Sequence, residues 1–235
     1  MQTYEQKVYN DMLEWELSVM KQKNLWKSMS KKAQNKINSY IPEKAHEVIT
    51  ESIKHMVKAT LAGSEFTTTR KKVAGMSLRE KELLVDEKLA AYRKTAAVEG
   101  AGTGAGGFLL GLADFPLLLS IKMKFLFEVA SIYGYDTKEY EERLYILHIF
   151  QLAFSNDDRR REVYHYVKYW EEEKEKLKDM DWRVFQQEYR DYIDLVKMLQ
   201  MVPGLGAVIG AYANYNLLDQ LGETAKNGYR LRFFA

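Results

Sequence analysis

The sequence predicts an all-α protein, a bundle of about eight or nine helices. Apolar residues recur at intervals of three and four along most of the chain, which sets them on one face of a helix. No stretch keeps the period-2 alternation of a half-buried strand between turn residues. Only three prolines occur, at Pro42, Pro116 and Pro203, so long helices are permitted almost everywhere. With 46% hydrophobic and 29% charged residues the composition is that of a globular chain and excludes disorder. A single helical domain over 1–235 is expected, with basic amphipathic helices over 1–76 and a Gly-rich core over 77–235.

The elements follow in order. Val8, Met12, Trp15 and Val19 form the apolar face of a first helix, and Met29, Ala33, Ile37 and Tyr40 that of a short second one. Pro42 suits the first turn of a third, where its missing N–H costs nothing. That helix buries Ala45, Ile49, Ile53, Met56 and Thr60 and stops at Gly63. Residues 63–76 lack periodicity and read as a loop. Ser77 and Glu80 form a capping box, opening a helix through Val85, Leu89, Tyr92 and Ala96 to Gly100. Asp114 is placed to offer its carboxylate to the first turn of a helix begun by Phe115 and Pro116. Asp136 and Glu139 read as another capping box, before a helix through Leu144, Leu147 and Phe154. After a turn at 155–158, one charged helix carries Tyr166, Tyr169, Trp170 and the run EEEKEKLKD. Asp181 caps a helix with Phe185, Tyr189, Tyr192, Val196 and Leu199 on one face.

Two segments are rich in glycine. Gly102, Gly104 and Gly107 match the G-x-G-x-x-G spacing, but a charged helix ending in Glu99 precedes them, not the strand that a dinucleotide site requires. Gly102/Gly106, Gly107/Gly111 and Gly206/Gly210 are each four apart, on one helix face. Small residues at that interval let helix backbones approach closely. Glycine in a helix interior costs roughly 0.5–1 kcal/mol relative to alanine, so several together call for a contact on the main chain. The run from Ala101 to Ile121 is long enough to cross a membrane, but Asp114, Pro116 and the glycines disfavour it. A buried helical hairpin is expected.

Chemistry is sparsely marked. Without cysteine there is neither a disulfide nor a thiolate metal site, which fits a reducing compartment. The N-terminus MQTYEQKVYNDMLEWEL lacks the apolar core of a signal peptide, so a cytoplasmic location is expected. No nucleophile elbow and no H-E-x-x-H occurs. Glu43/His46 and Glu162/His165 have the E-x-x-H step of di-metal carboxylate bundles, with Glu99 and Glu128 as further ligands. Chance suffices for two matches, so buried carboxylates, Asp114 included, are only the alternative reading. No cofactor, resident metal or catalytic set is assigned.

Residues 21–44 carry seven lysines and one glutamate, a net charge of +6, interleaved with Leu25, Trp26, Met29 and Ile37. Basic charge beside tryptophan and aliphatic side chains suits an anionic membrane surface, with Trp26, Lys27, Lys31, Lys32 and Lys36 as the contact residues. A nucleic-acid partner is not expected, since the chain's net charge is only +2 and this stretch has no arginine.

The stretch GAGTGAGGFLLGLADFPLLLSIKMKFLFEVASIYGYD, the RLYILHIF after it and the closing VPGLGAVIGAYANYNLLDQLGETAKNGYRLR together resemble the EcsC family. The positions that carry the resemblance include Gly104, Gly107, Asp114, Pro116, Tyr133, Gly134, Tyr135, Asp136, Pro203, Gly206 and Asn214. It implies a bacterial cytoplasmic protein whose partner is the Ecs ABC transporter, and it brings no reaction with it. The expectation is therefore an accessory protein docked on a membrane or transporter. A lipid tail or other hydrophobic ligand would lie in its core against Gly102, Gly104, Gly107, Asp114, Tyr135 and Asn214.

Overall fold

The structure, a computed structural model, describes residues 3–21, 43–63, 73–103, 114–155, 157–178 and 207–235, with the backbone alone at 43, 45–46, 97–103, 157–158 and 207–216. These residues form eight helices and no strand. α1 (Tyr4–Met20) buries Val8, Met12 and Trp15, as its spacing predicts. It opens on a capping box that the sequence reading missed, Thr3 with Gln6. α2 (Glu43–Ala62) buries Ile49, Ile53, Met56 and Thr60. It ends at Gly63, whose φ of +70° lets its N–H reach the carbonyls of Ala59 and Thr60. α3 (Leu78–Thr103) starts on the predicted Ser77–Glu80 box and runs beyond Gly100.

The next two starts need correction. α4 (Phe115–Tyr133) has Asp114 at the cap position, but the carboxylate makes no cap bond. A capping side chain needs an extended backbone beneath it, whereas Asp114 is already helical at φ −87°, ψ −4°. Pro116 also removes the second-position N–H that a cap would serve. α4 ends at Gly134, φ +102°, where Gly134 and Tyr135 both bond to the Ala130 carbonyl. Asp136 and Glu139 make no capping box. Asp136 instead accepts from the Lys138 N–H at 3.0 Å, a local turn, and Glu139 takes the cap position of α5 (Tyr140–Phe154) without a side-chain bond.

The single charged helix is two, α6 (Asp157–Lys168) and α7 (Trp170–Lys178). Trp170 is drawn into the core against Tyr145, ring centroids 4.9 Å apart, and Glu171, Glu172 and Glu173 then form an acidic first turn that suits a new helix start. α8 (Ala207–Phe234) closes the chain. The expected helices around Met29–Tyr40 and Phe185–Leu199 lie outside the described residues.

α4 and α5 form the centre. They bury 13 of 19 and 12 of 15 residues, the pattern of helices apolar all round. α3 and α8 run together and pack on them, α2 covers α4 and α5, and the α6–α7 pair folds back on α5. α1 is laid across α8, α6 and α3. The close approach expected of glycine occurs at two positions that the sequence reading did not single out. A Cβ at Gly222 would stand 2.8 Å from Leu89 Cδ2, and one at Gly228 3.2 Å from Ile149 Cδ1, so α8 sits against α3 and α5 at these points. Among the described residues no helix is long and apolar enough to cross a membrane.

Candidate functional site: buried ion pairs beneath the N-terminal helix

Near its C-terminal end α8 presents Tyr229, Arg230 and Arg232. Residues two apart on a helix point about 200° apart, so the two arginines serve different neighbours. Arg230 faces α3, where Nε and Nη2 donate to the two carboxylate oxygens of Glu82, both at 2.7 Å. Glu82 also accepts from the hydroxyls of Tyr4 at 2.7 Å and Tyr133 at 3.2 Å. One carboxylate thus ties α1, α3, α4 and α8 together. Arg232 faces α5, donating from Nη1 to Glu142 at 2.6 Å, while Tyr229 donates to the other Glu142 oxygen at 2.6 Å. The Arg232 guanidinium lies 3.7 Å from the Tyr135 ring centroid and 4.5 Å from that of Tyr145. Tyr229 stacks on Tyr133 at 5.0 Å and links the two ion pairs through aromatic contact.

Their electrostatics differ. Burial acts to raise the Glu82 carboxyl, but Arg230 and the Tyr4 hydroxyl outweigh it and hold the group below its usual range. Burial also raises Glu142, and there it prevails over Arg232 and Tyr229. Glu82 has the fork of Arg230 on both oxygens; Glu142 has a single guanidinium nitrogen. Elsewhere in the core, burial lowers His148 to about 4, so its ring stays neutral with Nδ1 at 2.8 Å from the Leu144 carbonyl. Tyr229→Phe removes one of the donors to Glu142. It is expected to cost about 1–3 kcal/mol in urea denaturation, whereas a purely aromatic role for Tyr229 predicts no change.

Two open grooves lie between the helices, and the first borders this network at Arg230. One of about 1060 Å³ runs between α1 and the α3–α8 pair, with Asp11, Glu14, Asp86, Lys226 and Arg230 on its walls. The other, about 580 Å³, lies between α3 and α4 and is lined by Ala91, Tyr92, Leu117, Ile121, Lys124 and Glu128.

The family model for the EcsC protein family matches residues 6–234. The chain belongs to the EcsC protein family. Within it, the chain is 52% identical over 230 residues to Protein EcsC of Bacillus subtilis (strain 168), covering 98% of this chain and 96% of that protein. It is also 26% identical over 230 residues to the uncharacterized protein YdbA of the same organism, covering 88% of this chain and 85% of that one. No solved structure matches it.

The positions that carry the EcsC resemblance fall unevenly on the structure. Tyr133 and Tyr135 both join the network, the first on Glu82 and the second beneath Arg232. Gly134 makes the left-handed turn between them, and Asp136 makes the turn that follows. Asp114 stands at the head of α4. Gly102 lies on α3 and Asn214 on α8, where the backbone alone is described. Gly104, Gly107, Trp26, Lys27, Lys31, Lys32 and Lys36 lie outside the described residues.

Of the carboxylates singled out in the sequence, Glu128 and Glu162 have protein partners, while the side chains of Glu43 and Glu99 lie outside the described residues. Glu128 pairs with Lys88 at 2.9 Å and accepts from the Tyr92 hydroxyl at 3.1 Å. Glu162 accepts from Arg159 and Tyr166, and His165 lies 3.7 Å from Glu173. Among the described residues no three His, Asp or Glu side chains gather as a metal site would require. Glu82 and Glu142, which the sequence reading passed over, are the buried acids that organise the fold.

Proposed function

We propose that this EcsC-family protein is a peripheral accessory factor that docks on an anionic membrane surface beside its partner, the Ecs ABC transporter that the family resemblance implies. The observation that carries this reading is the exit of α1. The helix ends at Met20, and the next residue, Lys21, is exposed and begins the stretch of net charge +6 with Leu25, Trp26, Met29 and Ile37 interleaved. Lysine near an anionic surface contributes about 1 kcal/mol per residue, and apolar neighbours add burial at the headgroup level. The ion pairing of Glu82, Glu142 and Glu128 supports a binding role over carboxylate catalysis, since each already holds two helices together. The groove between α3 and α4 is the described space in which a lipid tail would rest.

Replacing Lys27, Lys31, Lys32 and Lys36 with glutamate reverses most of this charge. The variant is expected to lose at least about tenfold in sedimentation with phosphatidylglycerol vesicles relative to the natural sequence. Equal sedimentation of the two overturns the reading.

A further inference from the structure

α1 is apolar on two faces. The inner one, Val8, Met12 and Trp15, packs on the body of the protein. The outer one carries Tyr9, Leu13, Leu17 and Met20, which remain 42%, 38%, 60% and 46% exposed. Their spacings of four, four and three keep them in one stripe, about 17 Å long at the helical rise. The stripe is continued at its start by the end of α8: Phe234 meets Tyr9 edge to face at 5.2 Å, and Phe233, 47% exposed, meets Phe234 at 5.1 Å.

Of the acids of α1, Glu16 borders this stripe, three residues from Leu13 and four from Met20. Asp11 and Glu14 face the groove toward α3 and α8, and Glu16 is held by Lys168. Glu5, exposed, lies a turn before Tyr9 at the far end from Lys21. At its other end the stripe is followed in the sequence by the lysines that begin with Lys21 and Lys23.

We infer that the outer face of α1 lies in the plane of an anionic bilayer, with Leu13, Leu17 and Met20 seated at the headgroup–acyl boundary. This deepens the docking reading above and rests on it, because it names the lipid-contacting side chains. Two considerations select a lipid surface over other occupants. The charge that follows the stripe is the complement of anionic lipid, and an in-plane helix with an apolar face and adjacent lysines is the form such contacts take. The exposed apolar area of the stripe is on the order of 400 Å², about half of what each partner contributes to a stable protein interface, so a second copy of the chain gains too little from it. A bilayer needs no matching shape. Insertion by about 5–10 Å accommodates the side chains without requiring a helix that spans.

The absence of cysteine permits a direct test, since one introduced thiol is the only one in the chain. Leu17→Cys carrying an environment-sensitive fluorophore, with Glu139→Cys as the control on the exposed turn before α5, is titrated with vesicles of phosphatidylglycerol and phosphatidylcholine in equal parts. The label at Leu17 is expected to shift to the blue and brighten, the control label to stay water-like, and Leu17→Glu to weaken vesicle binding by about tenfold. Binding of the natural sequence with no shift at Leu17 and no loss in Leu17→Glu overturns this inference while leaving the docking reading standing. Absence of binding by the natural sequence overturns both. A vesicle-independent dimer that Leu17→Glu dissociates, seen by sedimentation, overturns it in favour of self-association.

Discussion

Glu82→Leu is expected to destabilise the protein by about 3–5 kcal/mol, because it leaves the Arg230 guanidinium in the interior without its counter-ion. Only 3% of the Glu82 side chain and 9% of the Arg230 side chain reach solvent, so water replaces the lost partner poorly. Tyr4 and Tyr133 lose their acceptor in the same step, and α1 loses its hydrogen bond to α3. Arg230→Met should cost a comparable amount for the converse reason. The double variant Glu82→Leu/Arg230→Met should recover much of the loss, since an apolar pair of similar volume has no charge to desolvate. Urea denaturation of all four proteins measures this, and additive losses in the double variant contradict it.

The pH dependence carries a sign. The folded-state Glu82 pKa lies below its ordinary 4.5, so its contribution is present above 4.5 and is lost as pH falls below it. Glu142 is raised, takes up its proton first in the folded state, and so works in the opposite direction on acidification. Glu82→Leu should therefore lose less stability below pH 4.5 than the natural sequence does.

The second large effect is expected at Lys122, on α4. Its side chain is fully buried, and that burial pulls its amine from 10.5 down to about 7. The unfolded chain then binds a proton between pH 7 and 10.5 that the folded chain does not, so stability rises with pH across that window. Between pH 7 and 9.5 the gain from this group alone is as much as about 3 kcal/mol. Lys122→Met should abolish that rise. Parallel stability profiles for the two proteins between pH 6 and 9.5 contradict this account.

The fold was legible wherever a helix has one apolar face and an ordinary start or stop. Val8, Met12 and Trp15, the Gly63 stop and the Ser77–Glu80 box all follow from local spacing. Misreadings came where local chemistry competes with itself. Asp136 had a nearer N–H at Lys138 than any in the helix ahead, and Trp170 gained more from the core than from continuing α6.

The buried network was harder to see because its members look like surface residues in composition. A signal was present: Leu78, Glu82, Val85 and Leu89 follow the apolar register of α3, as Glu142, Tyr145 and Ile149 follow that of α5. A charge standing in an apolar stripe calls for a partner of opposite charge. The partner itself could not be read, since 148 residues separate Glu82 from Arg230. Gly222 and Gly228 escaped for a related reason: they have no glycine at a four-residue interval, and only the side chains opposite them, Leu89 and Ile149, reveal their use.

Membrane docking is tested most directly by the equilibrium partition of the natural sequence onto vesicles as phosphatidylglycerol content and salt are varied. The account predicts binding that grows steeply with anionic lipid, is lost in pure phosphatidylcholine, and weakens as salt shortens the screening length below about 8 Å. Partition that ignores both lipid charge and salt, or none onto phosphatidylglycerol at low salt, contradicts it.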